Sequence, residues 1–264
     1  MTITLGVFDS GVGGLSVLHH IHQQIPQAQL IYVADSGHVP YGDKSPEYVT
    51  KRSHALTKFL IGQGAQAIVI ACNTATAAAA ASLRDHFKLP IIGMEPAVKP
   101  AVSATKSAVV GVLATIGTLE SARFAALLEK YAGKVQIVTQ GCPGLVEQVE
   151  KGELHSAETR ELVQRYTAPL LQQGADTLIL GCTHYPFLVP VIEQVVGNHI
   201  ALIDTGAAVA RHLQRRVQAE IVDRGDGIAS SKFYTSGEAD KAARIMSILW
   251  GKEISVQTLP QEFM

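Results

Sequence analysis

Two stretches of the chain repeat one pattern at an interval of 110 residues. Residues 63–74 and 173–184 both begin Gln-Gly-Ala, continue through an apolar, partly β-branched run, and reach a cysteine after one small residue. The cysteines are Cys72 and Cys182, and hydroxyl or amide groups follow each of them. Repetition of a strand that ends in a reactive side chain predicts two copies of one structural unit.

A second pair of segments supports this duplication. Residues 5–11 align with residues 110–116 at an offset of 105, and both carry Gly-Val within an apolar run. Each half therefore opens with an apolar strand and reaches its cysteine strand later. We expect a pseudo-twofold axis between the units, which would place the two thiols on opposite sides of one cleft.

The order of the predicted elements indicates an α/β fold. Strands alternate with helices of 10–18 residues, a pattern typical of parallel sheets, and 264 residues suit two domains of ordinary size. We predict two similar parallel-sheet α/β domains with the active site in the cleft between them. Residues 1–97 and 211–264 form the first, which carries Cys72, and residues 98–210 form the second, which carries Cys182.

Composition narrows the class of protein. A net charge of −1 gives no electrostatic reason to expect nucleic acid or an anionic membrane as a partner. The N-terminal residues lack the features of a secretory signal, and no apolar run reaches the roughly 18 residues of a membrane span. The three cysteines form no CxxC pair and no zinc-type spacing with histidine. These features predict a cytoplasmic protein with reduced thiols and without a metal.

The element boundaries follow from the hydrophobic pattern and from Pro, Gly and capping residues. The main predicted strands are 2–8, 30–34, 90–93, 108–113, 134–139 and 200–203, together with the two cysteine strands. The predicted helices are 15–24, 46–63, 74–86, 119–131, 144–150, 155–173, 186–196, 206–218 and 238–250. Ligands bind beyond the carboxyl ends of parallel strands, and polar or thiol groups occupy these ends at Asp9, Asp35, Cys72, Thr115, Cys182 and Asp204.

The position of Cys72 predicts a reactive thiol. It lies where a strand stops and a helix starts, and a helix N-terminus lowers a cysteine pKa from about 8.5. Cys182 is expected to repeat this geometry, with Pro186 in the first helical turn. The alternative is that both are small buried hydrophobic residues, but the internal match favours function.

Two facing thiols suit one reaction best. A disulfide oxidoreductase places its cysteines within a few residues of each other, and a metal site needs more ligands than these. Proton exchange at a stereocentre needs one thiolate to remove a proton and a second thiol to return one to the opposite face. A racemase needs this symmetry because its two substrates are mirror images.

The glycine-rich loop at residues 8–14 has a competing interpretation as a dinucleotide-binding loop. Asp35 lies about 20 residues further on, but Ser16 replaces the third glycine and Asp9 would repel pyrophosphate. We expect Asp9 to hold a substrate ammonium or to assist Cys72, with helix capping as the alternative.

Neutral donors at predicted helix starts suit carboxylate oxygens, or simply cap the helices. They are Asn73, Thr74, Thr115, Thr118 and Thr183. Cys142 has no counterpart in the other half, and we expect it to be structural.

Five motifs resemble the glutamate racemases, within the cofactor-independent aspartate/glutamate racemase superfamily. They are FDSGVGGLSVL (8–18), ADSGHVPYGDKS (34–45), ACNTATA (71–77), GCP…VE.G (141–152) and GCTHYPFL (181–188). The resemblance implies interconversion of L- and D-glutamate without pyridoxal phosphate or metal, to supply D-glutamate for peptidoglycan. We expect a homodimer.

The resemblance also implies roles for individual residues. Cys72 and Cys182 would be the paired acid/bases, assisted by Asp9 and His184 respectively, with Glu150 as an acid near the second thiol. The implied substrate contacts are Asp9, Ser10, Tyr41, Gly42, Asn73, Thr74, Thr115, Thr118, Thr183 and His184.

Three other functions stay open at this point. A sibling racemase would act on aspartate or another small acid, since pocket shape sets side-chain length. A non-catalytic binding protein on this scaffold would keep its role without the thiols. A dehydrogenase would require a nicotinamide cofactor.

Overall fold

Strands and helices alternate along residues 3–131, 133–220 and 230–264, which are described by a computed structural model. The strands are β1 (Thr4–Asp9), β2 (Gln29–Ala34), β3 (Ala67–Ile70), β4 (Ile91–Ile92), β5 (Val109–Ala114), β6 (Gln136–Gly141), β7 (Thr177–Leu180), β8 (Ala201–Ile203), β9 (Ser231–Thr235) and β10 (Val256–Thr258).

The α-helices surround these strands. They are α1 (Leu15–Gln24), α2 (Pro46–Gly62), α3 (Asn73–His86), α4 (Val98–Ala104), α5 (Ile116–Leu119), α6 (Ala122–Glu129), α7 (Leu145–Lys151), α8 (Ala157–Gln172), α9 (Val189–Val196), α10 (Gly206–Glu220) and α11 (Ala239–Trp250). Short 3-10 helices lie at Tyr41–Asp43, Tyr185–Leu188 and Gln261–Phe263. Within the described ranges, no helix has the length and apolar character needed to cross a membrane.

The strands form two parallel sheets with a shared internal order. The first sheet runs β10-β9-β2-β1-β3-β4 and the second runs β6-β5-β7-β8, and adjacent strands pair in parallel in both. Without β9 and β10, the first sheet has the order of the second, with β1 equivalent to β5 and β3 equivalent to β7. The prediction of two parallel-sheet α/β domains is therefore confirmed.

The repeated Gly-Val pair marks a close contact between helix and sheet in each half. A Cβ atom at Gly6 of β1 would lie 2.9 Å from Ile68 Cδ1 and 3.1 Å from Leu60 Cβ. One at Gly111 of β5 would lie 2.6 Å from Leu178 Cδ2 and 3.0 Å from a methyl group of Leu170. The absence of a side chain lets α2 and α8 approach their sheets closely.

The chain leaves the first sheet after β4 and returns to it through β9. Helix α10 already packs along α1 of the first half. The bounds at residues 97 and 211 stay a prediction, and residues 221–229 lie outside the described part of the chain, as does Thr2 in the predicted first strand.

Two predicted helices differ from the structure for local reasons. The helix expected over 119–131 starts at Ala122 as α6, and the short α5 precedes it, because Thr115 and Ser121 each cap a separate start by accepting a backbone N–H. The helix expected over 186–196 begins as a 3-10 turn, and α9 starts only at Val189. Helix α4 is not among the predicted elements, and it carries Pro100 in its first turn, where proline is tolerated.

We predict that Gly6→Ala and Gly111→Ala each lower the free energy of unfolding by about 1–3 kcal/mol, because the added methyl overpacks a full core. Gly62→Ala is the matched control, since a Cβ there meets nothing within 4 Å. It should leave stability unchanged or slightly higher. Calorimetric thermal midpoints of the three variants test this. A midpoint for Gly6→Ala and Gly111→Ala equal to that of the control would contradict the packing account.

Candidate active site

The two thiols line one small cavity between the carboxyl ends of the two sheets. It is lined by Ser10, Pro40, Tyr41, Gly42, Cys72, Asn73, Thr74, Thr115, Thr118, Val146, Gly181, Cys182, Thr183 and His184. Its volume is about 10 Å³, close to the minimum of about 10–15 Å³ that holds one water. The cleft is therefore closed in this structure. A larger open groove of about 820 Å³ adjoins it across Gly42 and Thr74 but reaches neither thiol.

Cys72 lies at the N-cap of α3, as predicted. Its Sγ accepts a hydrogen bond from the Ala75 N–H at 3.4 Å and lies 3.9 Å from Ser10 Oγ. Burial, and after it the charge of Asp9, raises the pKa of Cys72 well above its ordinary value. The expectation of a lowered pKa was wrong, because loss of water outweighs the helix N-terminus in this enclosed position.

Asp9 ends β1 and connects the two halves. Its Oδ2 accepts hydrogen bonds from the Gly14 N–H at 2.7 Å and from the Thr183 hydroxyl at 3.3 Å, and Ser10 Oγ donates to Oδ1 at 3.4 Å. Burial raises the pKa of this carboxyl, and nearby His184 partly opposes the rise. Asp9 thus lies directly behind the cavity wall beside Cys72.

Cys182 has different neighbours. Its Sγ lies 3.7 Å from Nδ1 of His184, whose Nε2 lies 2.8 Å from Oε1 of Glu150. The same Oε1 accepts the Val12 N–H at 2.7 Å. The 3-10 turn begins only at Tyr185, so Cys182 does not repeat the helix-capping position of Cys72 as expected.

The glycine-rich loop makes room for this histidine and glutamate. A Cβ at Gly11 would overlap the carboxylate of Glu150, and one at Gly13 would overlap the imidazole of His184. Gly11 and Gly13 therefore admit two side chains from the other half of the chain. This explains their presence without a bound dinucleotide.

The pKa of the His184 imidazole is determined by its hydrogen-bond partners. Burial alone would lower the pKa of the imidazole, but the hydrogen bonds with Cys182 and Glu150 outweigh it and hold the pKa well above its ordinary value. A pKa raised on folding stabilises the folded state below the ordinary value of about 6.5, and that contribution is lost as the pH rises through the folded-state pKa. The raised pKa favours the imidazolium form of His184, whose Nδ1 lies beside the Cys182 sulfur.

Three hydroxyl groups from both halves meet at another part of the cavity. Thr74 Oγ1 lies 2.9 Å from Thr115 Oγ1 and 3.2 Å from Thr118 Oγ1, and the last two lie 2.9 Å apart. Asn73 is 5% exposed, and neither atom of its amide has a hydrogen-bond partner among the described residues. An unpaired buried amide is costly, so Asn73 marks a place for a polar ligand.

The remaining strand-end residues have other surroundings. The Tyr41 hydroxyl donates to Asp35 Oδ2 at 2.5 Å, and Arg52 also binds that carboxylate. Asp204 Oδ1 accepts the N–H of Gly206 and does not line the cavity. Cys142 is buried, its Sγ donates to the Gln140 carbonyl at 3.3 Å, and burial raises its pKa to about 12.

Eleven of the thirteen predicted site residues line the cavity, and the other two, Asp9 and Glu150, lie behind it. Sequence reasoning missed Pro40, Val146 and Gly181. Each adjoins or lies within a motif quoted above, but none has a polar or ionisable side chain that would have marked it as a site residue. In the described ranges, no three His, Cys, Asp or Glu side chains are arranged to hold a metal ion.

Comparison with known proteins agrees with this geometry. Residues 5–213 match the Asp/Glu/Hydantoin racemase family model. The chain belongs to this racemase family. It is 56% identical to the glutamate racemase of Stutzerimonas stutzeri over 257 residues, 97% of each chain. The family resemblance inferred from the five motifs is therefore confirmed.

Solved structures of this racemase family have the same architecture. Glutamate racemase isoform RacE1 from Bacillus anthracis superposes with a TM-score of 0.88 at 32% identity, covering 98% of both chains. Escherichia coli glutamate racemase, in complex with L-glutamate and the activator UDP-MurNAc-ala, superposes with a TM-score of 0.87 at 31% identity, also covering 98% of both.

We predict that Glu150→Gln lowers the pKa of His184, because the substitution removes the negative charge that stabilises the imidazolium. Nitrogen NMR of ¹⁵N-histidine-labelled protein across a pH titration measures this directly. Glu147→Gln is the matched control on the same helix, since Glu147 makes no hydrogen bond to His184. An unchanged His184 pKa in Glu150→Gln would contradict the account.

Proposed function

We propose that this chain is a glutamate racemase that interconverts L- and D-glutamate by direct proton exchange between two cysteines. The observation that carries the proposal is the pair of thiols, one from each half, on a single closed cavity. The 56% identity to a glutamate racemase over nearly the whole chain supports glutamate as the substrate.

The proposed chemistry needs one base and one acid on opposite faces of Cα. Burial and the Asp9 charge favour a neutral thiol at Cys72, which we assign as the acid, and we assign Cys182, which lies beside His184, as the base that acts in its thiolate form. With the substrate between them, the thiolate removes the Cα proton as the thiol returns one to the other face. The charge states then exchange, which prepares the site for the opposite enantiomer.

Asp9, His184 and Glu150 assist in this scheme without contacting Cα themselves. The carboxylate of Asp9 acts electrostatically on Cys72 and attracts the substrate ammonium group. Glu150 stabilises the charged form of His184. His184 in turn lies within hydrogen-bonding distance of the Cys182 sulfur. Because each thiol has a different neighbour, one acts as the acid and the other as the base although the two halves share one fold.

Neutral donors bind the two carboxylates of glutamate in this proposal. The hydroxyl groups of Thr74, Thr115 and Thr118, the amide of Asn73 and the N-terminus of α3 offer hydrogen bonds without a full positive charge. Ser10, Tyr41, Gly42, Thr183 and His184 complete the predicted contacts. Donors that are fixed before the reaction stabilise the charge that develops as the proton leaves Cα.

Substrate entry requires the cleft to open. A cavity of about 10 Å³ does not admit an amino acid, so the two halves must separate to admit it and close again. Closure expels water, which strengthens each electrostatic contact with the developing carbanion. We further propose that the first domain comprises residues 1–97 and 211–264 and the second comprises residues 98–210.

The cellular role is part of the same proposal. A cytoplasmic homodimer would supply D-glutamate for peptidoglycan synthesis. Family membership supports this role.

Racemisation by cysteine variants tests the proposed function. Cys72→Ala and Cys182→Ala should each reduce racemisation of either enantiomer by about 10²–10⁴-fold or more, since each removes an obligatory acid/base. Circular dichroism of L- and D-glutamate solutions follows the rate. Cys142→Ala is the matched control, because Cys142 is also buried but does not line the thiol cavity, and it should stay active.

The same assay separates the alternatives. Full activity in Cys72→Ala or Cys182→Ala with the fold intact would exclude the two-thiol mechanism. Loss of the signal from L-aspartate alone would assign the chain to the sibling reaction. Binding of glutamate without racemisation by the wild-type protein would instead favour a binding protein.

A further inference from the structure

A buried network lies beneath the loop that carries Tyr41 and Gly42. Asp35, which directly follows β2, is fully buried, and the Tyr41 hydroxyl donates to its Oδ2 at 2.5 Å. Arg52 of α2 binds both carboxylate oxygens, with Nε 2.9 Å from Oδ2 and Nη2 2.7 Å from Oδ1. This two-point geometry fixes the orientation of the carboxylate as well as its position.

Arg52 is itself fixed from the other side. Its Nη1 donates to the carbonyl oxygen of Met264 at 2.9 Å, and its Nη2 donates to that of Phe263 at 2.8 Å. The ring of Phe263 packs against Phe59 of α2, with centroids 5.4 Å apart. Arg52 is 7% exposed, and its partners compensate for the loss of water around the guanidinium.

The network reaches the substrate cavity at Tyr41, which lines it together with the next residue, Gly42. Tyr41 is 1% exposed, and the next residue, Gly42, meets the other half of the chain. A Cβ at Gly42 would lie 2.9 Å from Thr115 Cβ, and one at Gly117 would lie 2.9 Å from the Gly42 carbonyl oxygen. Gly42 thus directly follows the anchored Tyr41 and lies directly against Thr115.

We propose that Arg52 is a positioning residue for substrate binding. It orients Asp35, which holds the Tyr41 hydroxyl and so sets Gly42 against Thr115 when the cleft closes. Arg52 contacts neither thiol, so its loss should weaken closure around the substrate while leaving the acid/base pair intact. This inference rests on the proposed racemase function.

Two Arg→Lys variants, one at Arg52 and one at a control position, test this proposal. Arg52→Lys keeps the charge but loses the planar fork, so it should raise KM for glutamate about tenfold while kcat changes by less than about threefold. Arg84→Lys is the control, because Arg84 lies in the same half and also donates through Nε to a carbonyl, that of Ile91, at the far end of α3 from Cys72. It should leave both constants unchanged.

Tyr41→Phe separates positioning from general stability. It removes a hydroxyl whose proton is already donated to Asp35, keeps the Tyr41 ring at the cavity, and leaves the pair of Asp35 and Arg52 whole, so it remains decisive even where Arg52→Lys fails to fold. It should raise KM similarly, and the double variant should raise it no further than the larger single effect. Additive effects in the double variant would overturn the proposal.

Amide hydrogen exchange of residues 36–45 gives a readout that needs no substrate. Exchange in this loop should accelerate in Arg52→Lys and in Tyr41→Phe but not in Arg84→Lys. Unchanged loop exchange together with unchanged KM would overturn the proposal. If the wild-type protein does not racemise glutamate, the proposed function fails, while loop exchange still reports whether Arg52 positions the loop.

Discussion

The electrostatic environment of each cysteine depends on its nearest neighbours, because the cavity between the two thiols has a volume of only about 10 Å³. The effective dielectric constant of an enclosed site is low. A single nearby carboxylate or imidazolium therefore shifts the pKa of a thiol strongly from its ordinary value. Asp9 lies near Cys72, whereas His184 and Glu150 lie near Cys182. Two chemically identical side chains thereby have different electrostatic surroundings, as a distinct acid and a distinct base require.

The two halves share one fold, which positions the thiols, but the residues around each thiol differ, and these differences determine the chemistry. The shared strand order places both thiols at the carboxyl ends of equivalent strands, β3 and β7. The loop after β1 then differs from its counterpart, since Gly11 and Gly13 leave space for Glu150 and His184. The second half thus inserts its charged pair into the first, and the contact contributes to the closed cleft.

The fold could be predicted because its signals are local or repeated. Apolar strands, proline and glycine boundaries, and the recurrence of the cysteine strand identify the α/β units within a few residues of their observed bounds. The resemblance of five motifs supplied most site residues, and parallel-sheet geometry explains why they meet. The separate starts of α5 and α6 were missed because they depend on caps by Thr115 and Ser121, which periodicity does not reveal. Helix α4 was missed because it carries a proline, which a first turn tolerates.

Burial and long-range partners could not be predicted in the same way. The raised pKa of Cys72 depends on complete enclosure by two halves that are distant in sequence. The sequence does not distinguish Arg52 from other polar residues on a helix surface. Its hydrogen bonds to the main-chain oxygen atoms of Phe263 and Met264 are visible only in the structure. Each depends on contacts between residues far apart in the chain.

The central claim is that two opposed thiols act on one Cα, and isotope incorporation tests it most directly. Purified protein is given L-glutamate in D2O, and both enantiomers are separated early in the reaction for mass analysis. The account predicts deuterium at Cα of the D-glutamate formed, with protium retained in the remaining L-glutamate, because a different group returns the proton to the opposite face. Equal early deuteration of both enantiomers would indicate a single base and would contradict the account.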